Sequence, residues 1–119
     1  MGLSLFNKTL SPPAFSAPNN QEFSLPLGTT TLVNWTSTQN LTFVGIAGFG
    51  GNVDGMVVCF VNLNANGFTL SIAHDSGLAT RLTNRCINAG GATATAGAGG
   101  ALWYRLNGLT GRWHQLGRA

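Results

Sequence analysis

The stretch Met56-Val-Val-Cys-Phe-Val-Asn-Leu63, followed by Asn64-Ala-Asn-Gly67 and then Phe68-Thr-Leu-Ser-Ile-Ala-His74, decides the fold class. Its first part is continuously apolar through Val61, the pattern of a central strand buried on both sides. Its last part alternates: Phe68, Leu70 and Ile72 are apolar, and Thr69, Ser71 and Ala73 are small or polar. That is the period of a half-buried strand. Asn66-Gly67 between them tolerates the positive φ of a hairpin connection. Working outward, apolar and β-branched runs recur at residues 23–27, 30–35, 41–46, 102–106 and 113–116, with turn material at Gly28, residues 52–55 and Asn107-Gly108. Residues 92–96, all small, read as one more strand, of the kind used where backbones approach closely, with a flexible surface loop as the alternative. Helical period with capping signals is found nowhere. Short strands at this spacing indicate an all-β domain, read as a small antiparallel β-sandwich of jelly-roll type spanning residues 22–119. No internal repeat is evident.

Residues 1–21 differ. They carry Leu3, Leu5, Phe6, Leu10 and Phe15, interrupted by Pro12-Pro13 and Pro18. X-Pro steps favour extended backbone and exclude a useful helix. The segment is expected to form an extended N-terminal arm that buries its five large apolar side chains on a neighbouring chain, with folding back over its own domain as the alternative.

Composition narrows the function classes. Charged residues make up 8% of the 119 residues, against about 25% in an average soluble domain. Hydrophobic residues reach 44%, so intrinsic disorder is excluded. No apolar window is long enough for a transmembrane helix, and residues 1–6 lack the cationic start of a signal peptide. The net charge of +3 arises from only three acids, and the six cations are scattered singly. A nucleic-acid partner is therefore not expected, although Arg105 and Arg112 beside Trp103 and Trp113 form the one small patch of that kind. So little charge suits a chain that lives in a larger assembly.

The chemistry-bearing residues are few: Glu22, Asp54 and Asp75, His74 and His114, Cys59 and Cys86. His74 and Asp75 are adjacent, so in a strand they point to opposite faces. Cys59 lies in an apolar run, and both cysteines read as buried free thiols. Metal-ligand spacing is absent. The glycine-rich residues 45–51 lack the following helix of a phosphate loop and read as a bend between sheets. No catalytic residue, metal or cofactor is expected, and the chain is not read as an enzyme. The closing hairpin is more informative. Alternation places Trp103 and Arg105 on one face and Leu102, Tyr104 and Leu106 on the other, with Trp113 pairing across the strands. Trp103, Arg105 and Trp113 are the candidate surface-recognition residues.

The order Pro26-Leu27-Gly28, Leu41 to Ile46, Gly51-Asn-Val-Asp-Gly55, Val57 to Asn62, Phe68 to Asp75, Asn84-Arg85, Leu102-Trp103-Tyr104 and Arg112-Trp113 resembles small β-sandwich domains of tailed-bacteriophage virions. Such domains occur in head decoration (cement) proteins and tail-fibre tips, typically as trimers. The resemblance implies a virion structural protein that is assembled in the host cytoplasm and ends on the capsid surface. Its expected partners are the major capsid protein and copies of itself as a homotrimer, without nucleic acid or membrane. Since 119 residues leave room for neither shaft nor attachment domain, a decoration protein bridging capsid subunits is favoured. The arm residues Leu3, Leu5, Phe6, Leu10 and Phe15 would be its contacts. The alternative is a tail-fibre or head-fibre knob that binds a host-surface glycan.

Overall fold

A computed structural model describes residues 8–15, 20–25, 30–48 and 54–118. Among the described residues ten strands form two sheets: β1 (Lys8–Leu10), β2 (Gln21–Leu25), β3 (Thr30–Trp35), β4 (Leu41–Gly48), β5 (Val57–Asn62), β6 (Leu70–Ile72), β7 (Cys86–Ile87), β8 (Ala94–Ala96), β9 (Ala101–Asn107) and β10 (Arg112–Arg118). The six-stranded sheet has the order β1-β3-β5-β9-β10-β7, and the four-stranded sheet has the order β2-β4-β6-β8. Short 3-10 turns occur at Leu82–Asn84 and Ala89–Gly91, and the described residues contain no α-helix.

From β1 to β6 the chain crosses to the opposite sheet after every strand, and each strand stacks parallel on the one two places before it. Lys8 lies level with Thr31, 23 residues on, and Thr30 lies level with Val57, 27 residues on. In the other sheet Glu22 matches Gly45 and Leu41 matches Leu70, steps of 23 and 29 residues. The expected antiparallel, jelly-roll-like β-sandwich is therefore overturned. The architecture is a β-solenoid of about three coils, each giving one strand to each sheet. A repeat does exist, in the backbone. Unequal steps and unlike side chains hide it from the sequence. Asn66-Gly67, with Gly67 at φ +84°, turns a coil corner between two sheets and is no hairpin.

The antiparallel part is confined to the C-terminal end. β9 runs against β5 and then turns back as β10, while β8 runs against β6. The hairpin at residues 107–112 forms where the sequence reading put it. Its positive φ falls on Gly111, and Gly108 is required for a different reason: a Cβ there would meet that of Asp54 at 2.9 Å.

The core lies between the sheets. Val33, Trp35, Val58, Phe60, Leu102, Tyr104, Leu106 and Trp113 face Phe23, Leu41, Phe43, Ile46, Leu70, Ile72, Ala94 and Ala96. The alternation of β3, whose Thr31, Val33 and Trp35 are fully buried, supplies the inner face. β5 is central within its sheet, but only one side of it faces the core. The asparagines sealed at the coil corners find partners, as most polar groups away from water do. Asn62 donates through Nδ2 to the carbonyls of Phe68 (2.9 Å) and Ala96 (3.0 Å), and its Oδ1 accepts from the Asn64 amide. Asn64 in turn accepts from the Ser37 amide at 2.9 Å, which fixes one coil corner on the next.

Gly45 lies inside β4, so the expected glycine bend at residues 45–51 does not begin there; residues 49–53 are outside the described set. It is glycine because the Asn84 carbonyl of the first 3-10 turn sits directly on its Cα, leaving no room for a Cβ. Residues 76–84 are thereby seated on the outer side of the smaller sheet. Glu22 secures them, accepting from the Thr80 amide, the Thr80 hydroxyl and Asn84 Nδ2 at 2.8–3.2 Å.

Candidate interaction surfaces

The outer face of the larger sheet is set by strand register. Thr9, Leu32, Cys59 and Trp103 form one row across β1, β3, β5 and β9, and Val57, Arg105 and His114 form the next across β5, β9 and β10. Trp103 and Arg105 thus project side by side to the outside, as alternation requires, with the Trp103 side chain half-buried. Arg105 sits 3.9 Å from Asp54 in an exposed ion pair, worth little in stability. His114 is bonded to Thr110 at 2.7 Å.

Trp113 is on the other side. It is fully buried, and its Nε1–H donates to the Ile46 carbonyl at 3.1 Å, across the core to the opposite sheet. The reading of Trp113 as a surface-recognition residue is therefore corrected: register with Leu106 turns it inward. Trp103 and Arg105 are brought together, and Trp113 is not.

The second surface is the N-terminal end of the solenoid. Leu10 is in β1, and Phe15 packs on the chain's own core, its ring 5.4 Å from that of Phe43, 6.0 Å from Phe23 and 6.5 Å from Trp35. The Phe15 backbone is held between Thr36 and Thr38 by two hydrogen bonds. The described part of the segment read as an arm is thus the first coil of the solenoid. Leu3, Leu5 and Phe6 lie outside the described residues. β1 and β2 each hydrogen-bond to one neighbouring strand only among the described residues, which leaves both sheets with an edge at this end. Between these edges is a cleft of about 540 Å³ lined by Leu10, Pro12, Phe15, Phe23 and Phe43, with Gln21 and Glu22 at its polar side. Sequence reasoning missed this cleft, because it follows from two parallel strands ending the stack and not from any motif.

The titratable groups are engaged in holding the fold. Glu22 anchors residues 80 and 84, and Asp54 accepts from the Gly108 amide at 2.8 Å. His74 Nδ1 accepts from the Asn88 amide at 3.0 Å, while Asp75 faces Arg85 and Arg112, so the adjacent His74 and Asp75 do not act as a pair. Cys59 and Cys86 are buried free thiols, and burial pushes the Cys59 thiol up to about 11. Among the described residues no group of three or more His, Cys, Asp or Glu side chains converges as a metal site.

The fold and these surfaces define a short two-sheet β-solenoid with an antiparallel C-terminal cap. No family model, no curated protein and no solved structure matches the chain.

Proposed function

We propose that this chain is a structural protein of a tailed-bacteriophage virion, a capsid decoration protein that stabilises the head by bridging capsid subunits. The observation that carries the reading is the difference between the two ends of the solenoid. At one end the sheets finish on the short strands β7 and β8 beside the β9–β10 hairpin, while at the other, among the described residues, the edges of β1 and β2 flank an apolar cleft. Such an end is completed by an extended segment of a neighbouring protein, whose backbone extends the sheet and whose side chains fill the cleft. The sequence resemblance and a chain with only 8% charged residues support a module that assembles and stays in place. The major capsid protein supplies the completing segment in this reading, and further copies of the chain, as a homotrimer, share the contact.

The experiment is to count this chain against the major capsid protein in purified virions. Hundreds of copies per particle are expected; a handful would remove the decoration reading. One observation favours a second reading, a fibre knob that binds host-surface glycan: Trp103 and Arg105 stand together on the outer face, the pairing of aromatic platform and polar tip that suits a sugar. Glycan-array binding by the isolated protein, lost in Trp103→Ala, would establish it.

A further inference from the structure

Arg85 and Arg112 are far apart in sequence and adjacent in the fold. β7 and β10 run parallel with Cys86 level with Trp113, and the Trp113 amide donates to the Arg85 carbonyl at 3.0 Å. The two preceding residues therefore stand together where both strands begin. Both guanidinium groups turn to one atom, Oδ1 of Asp75: Nη1 of Arg85 at 3.7 Å and Nε of Arg112 at 3.5 Å. Arg112 adds a bond from Nη1 to the Thr110 carbonyl at 3.3 Å. Asp75 is itself pinned, at φ +40° with its amide donating 2.7 Å to the Cys86 carbonyl. It faces both arginines and chelates neither.

This cluster is short of acceptors. A guanidinium carries five N–H donors in a fork, and an arginine paired for structure alone commonly closes on its carboxylate with two parallel bonds. Arg85 makes no hydrogen bond of that kind among the described residues. Its Nε is shut off from water and has no acceptor. That atom is closed to a ligand as well, and what an anion can meet is the 24% of each arginine side chain that stays exposed. Two cations share one anion, in a chain with only three Asp and Glu side chains.

We infer that Arg85 and Arg112 bind an oxyanion, a phosphate or sulfate group, held between the two guanidinium forks opposite Asp75. A tetrahedral oxyanion offers oxygens to both forks at once, which a single pinned carboxylate does not. The site is independent of the decoration reading.

The test follows the arginine Nε–H resonances of the ¹⁵N-labelled protein while sodium phosphate or sodium sulfate is titrated at constant ionic strength against sodium chloride. The Arg85 and Arg112 signals shift saturably, and those of Arg81 and Arg105 do not. Arg112→Gln weakens binding about tenfold or more, as loss of one charge-assisted hydrogen bond implies. Arg85→Lys keeps the charge, loses the fork and weakens binding too, which preserves the test should the first variant disturb β10. Glucose 6-phosphate binding tighter than inorganic phosphate assigns the site to a phosphorylated saccharide, and equal binding assigns it to the free anion; both uphold the site. Shifts that never saturate, that appear equally at Arg81 and Arg105, or that survive both substitutions overturn it.

Discussion

The hydroxyl of Tyr104 donates to Oδ1 of Asn88 at 2.5 Å, inside the core and between two sheets. Asn88 spends its remaining capacity on the carbonyls of Ile72 (2.8 Å) and Ala92 (3.0 Å). Tyr104 is thus the point at which the C-terminal hairpin is tied to the last coil. Tyr104→Phe keeps the ring and strands one buried acceptor, which costs about 1–3 kcal/mol. Urea denaturation should show the loss with an unchanged slope, the mark of lowered stability without altered compactness.

Two buried indoles separate packing from hydrogen bonding. Trp113 Nε1 has the Ile46 carbonyl, whereas Trp35 Nε1 is buried with no acceptor. Trp113→Phe should therefore destabilise more than Trp35→Phe, by about 1–3 kcal/mol. Equal losses in thermal melts would mean that the bond across the core contributes nothing.

Phe15 distinguishes a coil from an arm. Its ring meets Phe23, Trp35 and Phe43, so Phe15→Ala should destabilise the isolated protein by about 1.5–3 kcal/mol. Had the side chain been reserved for a neighbour, the isolated protein would melt unchanged and only assembly would suffer.

Gly45→Ala pushes a methyl group into the Asn84 carbonyl. The relief is to lift residues 76–84 from the sheet, at a cost of about 1–3 kcal/mol. Amide exchange should speed up around Thr80 and Asn84 while β5 and β9 stay protected.

The alkaline limb of stability follows from buried protons. Burial raises the Cys59 thiol from 9.0 to about 11, and burial drives Cys86 and Tyr104 up further, Tyr104 also because Cys86 lies beside it. The folded state keeps these protons at pH values where the unfolded chain has released them. Stability is therefore full below about pH 9 and falls as pH rises toward 11. The denaturation midpoint should be flat near neutrality and decline above that point, and a thiol reagent should find neither cysteine until the protein unfolds.

Strands were legible in the sequence and their partners were not. Residues 30–35 form β3 as read, because Thr31, Val33 and Trp35 alternate with polar or lesser neighbours and nothing tertiary overrides them. The same alternation says only which side chains share a face. It is silent on whether Leu32 meets a strand running with it or against it, and here the neighbour is Cys59 on a parallel strand. Parallel stacking of whole coils leaves no turn signature, whereas the β9–β10 hairpin announces itself through Asn107-Gly108, although its positive φ falls on Gly111. On the surfaces, alternation located Trp103 and Arg105 but could not tell that Trp113, one strand over, turns inward. The Arg85–Asp75–Arg112 cluster carried no sequence signal, since it depends on the register of a two-residue strand.

The central strand β5 has its second neighbour in β9, and Val58 lies level with Tyr104, 46 residues downstream. During synthesis, the three parallel coils leave the ribosome before the strand that closes them exists. Until residue 107 emerges, β5 presents a bare edge, so the finished solenoid is a product of the last part of the chain to be made. Ribosome stalling just short of β9 should therefore yield a nascent chain that proteases still cut freely, whatever coils it already contains.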